Sequence, residues 1–150
     1  MIKKKKSGFT LVEIMVVVAI IGILATLATS MMLRSRITTN EALAIASCKT
    51  ITSACQGYYG AVIPHSYPPN LRTLGLSGPG GPAYIDSDLS SGRRSGYNFI
   101  YILTSPVSFT LYADPQTPGR TGVRYFYCDE TGRITAKTGG RAGPGDPAVN

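Results

Sequence analysis

A single carboxylate, Glu13, stands near the start of an apolar run that carries no other charge until Arg34. At membrane depth an ionised side chain costs roughly 2.5–3.5 kcal/mol on insertion scales, so a carboxylate kept there implies a positive partner. The cations nearest before it are Lys3, Lys4, Lys5 and Lys6, which Ser7 and Gly8 separate from the run. Other residues capable of chemistry are few. His65 is the one histidine and sits in a proline-rich stretch, whereas Cys48, Cys55 and Cys128 fall in segments that read as helix or strand, so a thiol–imidazole nucleophile is not indicated. Asp86 and Asp88 lie two apart in a loop and offer oxygens to a hard cation, but Ser87 and Ser90 make the same stretch an ordinary turn. There is no phosphate-cradling glycine motif, zinc-spaced cluster or clear calcium cluster, so neither enzyme activity, cofactor nor metal is expected. Arg93 and Arg94, with Tyr97 and Tyr101 nearby, form the one basic-aromatic grouping. It reads first as solvated charge, which leaves nucleic acid a minor candidate partner.

The elements that must position Glu13 follow from hydropathy and its period. Residues 14–33 as helix span about 30 Å, the thickness of a bilayer's hydrocarbon. Val16, Val17 and Val18 lower intrinsic helix propensity. Lipid overrides this, because each backbone polar group there must be satisfied internally. The four lysines before the run outnumber Arg34 and Arg36 after it, which places the N-terminus in the cytoplasm and the rest across the inner membrane. The chain has 150 residues and fifteen basic against eight acidic side chains, a net charge of +7. Without the four lysines the excess is small, so the charge is mainly a topology signal and not a nucleic-acid one. A secretory signal peptide also starts with lysines, but this apolar run is too long for one.

Beyond Arg34 the apolar pattern becomes one-sided. Ile37, Ala44, Cys48, Ile51, Cys55 and Tyr58 recur at helical spacing, with Arg36, Glu41, Lys49 and Gln56 read as polar positions between them. One helix is expected, with a membrane and assembly half at 9–33 and an amphipathic half at 34–60 that ends near Gly57 to Gly60. A turn-rich region follows to Gly96, with a helical turn at residues 70–74. Strands are expected at 97–103, 107–113, 123–128 and 133–137, forming an antiparallel meander on the amphipathic helix. Residues 61–137 thus make a loop-and-sheet domain, and the Gly/Pro-rich residues 138–150 read as a flexible tail. Cys48 and Cys55 are about 10.5 Å apart along a continuous helix, too far for a disulfide. A bond of Cys128 with Cys48 or Cys55 stays open, as does the reading of all three as small buried apolar residues.

The stretch from Lys3 to Lys6 through Gly8-Phe9-Thr10-Leu11-Val12-Glu13 resembles the processing site of type IV prepilins and type II secretion pseudopilins. The resemblance implies that a prepilin peptidase removes a leader, residues 1–8, between Gly8 and Phe9 and methylates the new amine of Phe9. Glu13 becomes the fifth mature residue and in a filament attracts the Phe9 amine of the next subunit. The order of helix, loop, sheet and tail, with 96–99, 113–115 and 124–127, also resembles a pilin globular domain, an α+β fold. Ser30 stands where most members carry a helix-kinking proline.

The implied function is a structural, non-catalytic subunit of a type IV pilus filament. A pseudopilin of a type II secretion system is the alternative. A membrane-tethered binding module that never polymerises, and keeps its lysines, is a second. The implied partners are copies of the chain, other pilins or pseudopilins, the prepilin peptidase, a pilus or secretion assembly machine and inner-membrane lipid. The implied location is the inner membrane before assembly and a periplasmic or cell-surface filament after it.

Overall fold

A computed structural model describes residues 8–77 and 81–149, and Lys3 to Lys6 of the expected leader lie outside the described residues. The chain divides into two compact units, Met1–Ser35 and Arg36–Asn150. Helix α1, Leu11–Ala61, supplies the described helix of the first unit and opens the second. In the first unit the described large apolar side chains between Leu11 and Leu33 are exposed. The helix is long and apolar enough to cross a membrane. Two polar side chains are folded back onto the backbone. The Thr26 hydroxyl donates to the Ile23 carbonyl at 2.7 Å and the Thr29 hydroxyl to the Thr26 carbonyl at 3.0 Å, which lowers the cost of placing them in lipid. Ser30 is helical like its neighbours.

In the second unit α1 turns one face to a core. Ala44, Cys48, Ile51 and Cys55 are fully buried there. The partner surface is an antiparallel sheet in the order β1 (Arg93–Arg94), β2 (Tyr97–Ser105), β3 (Ser108–Pro115), β4 (Arg124–Asp129) and β5 (Ile134–Thr138). Alternate residues of the strands face α1. Tyr97 and Phe99 of β2, Phe109, Leu111 and Ala113 of β3, and Phe126 and Cys128 of β4 join the helix face in one cluster, as the two-residue period of a strand requires. Apolar burial on this scale, about 25 cal/mol per Å², holds helix to sheet. One close approach makes a glycine obligatory. A Cβ at Gly122 would collide with the hydroxyl of Tyr97, which donates to the Arg124 carbonyl at 2.8 Å.

The turn-rich region contains two short helices, each started by a side-chain cap. Asn70 caps α2 (Leu71–Leu74), accepting from the Thr73 amide at 3.0 Å. Asp86 caps α3 (Ser87–Ser90), accepting from the Leu89 amide at 2.8 Å. Each cap satisfies an amide that would otherwise lack a partner, and each helix buries a leucine, Leu74 and Leu89.

Several expectations shift. The helix ends at Ala61, one residue past the expected Gly57 to Gly60, and Tyr58 and Tyr84 pack ring to ring, 6.1 Å apart, near that end. Arg93 and Arg94 form a two-residue edge strand instead of a loop. Residues 138–149 fold back onto the sheet instead of trailing free. The Ala136 amide donates to the Pro147 carbonyl at 3.0 Å and the Val149 amide to the Ile134 carbonyl at 2.8 Å. Arg141 bridges to Asp114 and lies over the Tyr112 ring, 4.8 Å from its centroid. Low apolar content gave no sign of this order, which comes from backbone hydrogen bonds at the β5 edge, the Arg141 contacts, the burial of Ala142 and the packing of Val149 on the core.

Candidate processing and assembly site

Gly8 and Phe9 are exposed and precede the helix. Helix α1 begins where Thr10 provides a cap: its hydroxyl accepts from the Glu13 amide at 3.3 Å, and its carbonyl accepts from the Ile14 amide, also at 3.3 Å. Thr10 and Glu13 thus stand at the first and fourth positions of a capping-box pattern. Glu13 lies in the first turn, at the positive end of the helix dipole. Its carboxylate is exposed among exposed apolar side chains. Gly8 has no structural duty in this fold. A Cβ placed on it meets nothing within 4 Å, and its φ is not in the left-handed region. Among the described residues the local fold would accept any small residue there.

Residues 3–29 match the family model of the prokaryotic N-terminal methylation motif. This is a prepilin-type N-terminus, of the kind borne by type IV pilins and pseudopilins. No curated protein and no solved structure matches the chain. The motif supports a prepilin-peptidase substrate of pilin or pseudopilin kind, a structural class and not an enzymatic one. It implies processing by that peptidase and assembly with other pilins. Motif and apolar helix together are consistent with inner-membrane anchoring before assembly. The α+β arrangement, a long helix on an antiparallel sheet, is pilin-like.

In the unit that starts at Arg36 a second carboxylate matters, and its burial corrects the polar-face reading. Glu41 is 7 % exposed. It accepts from the backbone amides of Val123 and Arg124 at 2.9 and 3.1 Å, and from the Arg124 guanidinium at 2.7 Å. Burial alone would raise its pKa; the Val123 amide, then the Arg124 side chain and amide, outweigh that and hold the carboxyl below the usual range. Beside it Asn40 donates to the Thr121 carbonyl at 2.9 Å. Two adjacent helix residues therefore grip the segment that enters β4. The signal was present in the spacing, because Glu41 falls four after Ile37 and three before Ala44, on the apolar stripe itself.

The three cysteines share one core cluster, but they are neither joined as a disulfide nor in contact with His65. Cys48, Cys55 and Cys128 are buried free thiols, so the bond considered for Cys128 is not formed in this structure. Burial pushes the Cys55 thiol up to about 12 and raises those of Cys48 and Cys128 as well. The Cys128 sulfur lies 3.2 Å from the Thr52 hydroxyl. His65 stacks on Tyr59, with ring centroids 5.3 Å apart, and contacts no cysteine. The oxygens of Asp86 are used in the α3 cap and in a 2.6 Å ion pair with Arg94. Among the described residues no group of three His, Cys, Asp or Glu side chains converges as a metal site.

Proposed function

We propose that this chain is the structural subunit of a type IV pilus filament, cut between Gly8 and Phe9, methylated at the Phe9 amine and polymerised through the first half of α1. The observation that carries the reading is the junction of an unhindered, sterically unnecessary glycine with a capped helix whose described large apolar side chains between Leu11 and Leu33 are exposed. An exposed apolar surface of that size requires lipid or other helices. Cleavage supplies a cation that Glu13 does not meet among the described residues. The new amine of Phe9 lies about one helical turn away within a subunit, and in a bundle the amine of the next subunit can meet the Glu13 carboxylate. Such a pair serves register more than net stability.

Mass spectrometry of the mature protein, joined to a Glu13→Val variant, tests this. The expected mature chain begins at methylated Phe9, and Glu13→Val is inserted and cleaved but forms few filaments. A mature chain that still carries Lys3 to Lys6 would favour the tethered module. Normal filaments from Glu13→Val would remove its registration role. Filaments on the cell surface support the pilus, whereas loss of secretion without surface filaments assigns the chain to a pseudopilus.

A further inference from the structure

The two edges of the sheet are treated differently. At β5 the returning C-terminal segment occupies the edge, bonding through Pro147 and Val149 to Ala136 and Ile134. At the opposite side β2 is nine residues long, but β1 pairs only with Tyr97 and Asn98. One more bond, from the Phe99 amide to the Gly92 carbonyl at 2.8 Å, ends the cover. Gly92 then turns away with φ +78°, and a Cβ on it would press to 3.0 Å from the Phe99 carbonyl oxygen. Because the Phe99 amide points to this side, the amides and carbonyls of Tyr101 and Leu103 point there too. Among the described residues no strand pairs with residues 100–105 on that side. An uncovered edge of this length is a template for another strand, and proteins ordinarily block it with charge, proline or a covering segment. Here it carries Ile100 and Ile102, 37 % and 47 % exposed.

A hollow of about 400 Å³ adjoins this edge, lined in part by Asn70, Arg72, Ser90, Gly92, Phe99 and Tyr101. Arg72 lines the hollow and is exposed, and Arg93, next in sequence to the lining Gly92, is exposed as well. Arg94 pairs with Asp86, Arg124 with Glu41 and Arg141 with Asp114, and among the described residues neither Arg72 nor Arg93 has an acidic partner. We propose that residues 100–105 of β2 are a docking edge for an extended segment of another protein, added as a further strand, with a carboxylate of that segment set against Arg72. Main-chain bonds would give the affinity, and the cationic rim the choice of partner. A second copy is a poor occupant, because residues 100–105 carry no acidic side chain that an identical edge could set against Arg72.

The test uses the full chain in detergent micelles and a fluorescent synthetic hexapeptide, acetyl-Thr-Val-Asp-Val-Thr-Val-amide, titrated to about 1 mM, the weak end of specific affinity. The expected result is saturable binding with new hydrogen-exchange protection at the Tyr101 and Leu103 amides. N-methylating the peptide amides along one edge should abolish it, while N-methylating the other edge should not. Arg72→Glu should weaken binding tenfold or more, as should lysine in place of the peptide aspartate. Absence of protection at Tyr101 and Leu103, or equal binding by both N-methylated peptides, overturns the docking edge. Equal binding by the lysine peptide overturns the acidic occupant. Protection that rises with protein concentration alone gives the edge to a second copy and overturns the heterologous partner.

Discussion

Glu41 takes three hydrogen bonds from the segment entering β4, and two of the donors are backbone amides that have no other acceptor once the carboxylate is removed. Glu41→Ala should therefore cost roughly 2–3 kcal/mol, mostly the penalty of stranded amides and not lost charge. The Arg124 side chain is 41 % exposed, so solvent screens the ionic part. The pH dependence has a definite sign. A carboxyl held below its ordinary range stabilises the fold fully above that range, near 4.5, and the contribution disappears as pH falls through the depressed value. Wild type should lose stability more steeply than Glu41→Gln between about pH 5 and 3, as read by thermal melts across that interval. Gly8 gives the opposite kind of prediction. Open space surrounds it, so Gly8→Val should leave the helix content and melting of the chain unchanged while blocking removal of the leader. A shift in melting temperature, or normal cleavage on a gel, would contradict that separation.

The elements make their own predictions. Residues 139–149 look like linker by composition, yet Ala142 is buried and Val149 packs on the core. Truncation after Thr138 would remove two backbone bonds, the Arg141 contacts and that apolar burial, a loss of roughly 2–4 kcal/mol. It would also bare the β5 edge. A truncated chain should melt lower and self-associate, which light scattering against wild type would detect. The helix, hairpin and meander were legible because their apolar periods are strong: 3.6 through Ala44, Cys48, Ile51 and Cys55, and two through Phe109, Leu111 and Ala113. The tail was not, because its order depends on backbone hydrogen bonds, which composition does not report. The α3 turn was missed for a related reason. Asp86 and Ser87 are equally good in a turn and at a helix start, and only the burial of Leu89 chooses between them.

At the scale of the molecule, the core lies wholly within residues 36–149, and the first unit contributes no buried side chain among those described. A fragment of residues 36–150 should fold alone as a soluble monomer with one cooperative melt, whereas the full chain should require detergent. Calorimetry and gel filtration of the two would show it, and an unfolded fragment would mean that the first half of α1 is needed for the core. By itself the sequence determined the membrane-length segment, the prepilin-type motif with its lone acid, the helix-on-sheet class and the approximate strands. Each of these is a local pattern of charge, hydropathy or spacing, readable without knowing what lies across the fold. Only the tertiary structure decided that Glu41 is a buried anchor, that the three thiols stay apart from His65, that the C-terminal segment covers one sheet edge and that the edge of β2 stays open. Those depend on which distant residues meet, and a backbone amide at position 123 or a carbonyl at position 147 carries no mark in the sequence of the partner it will find.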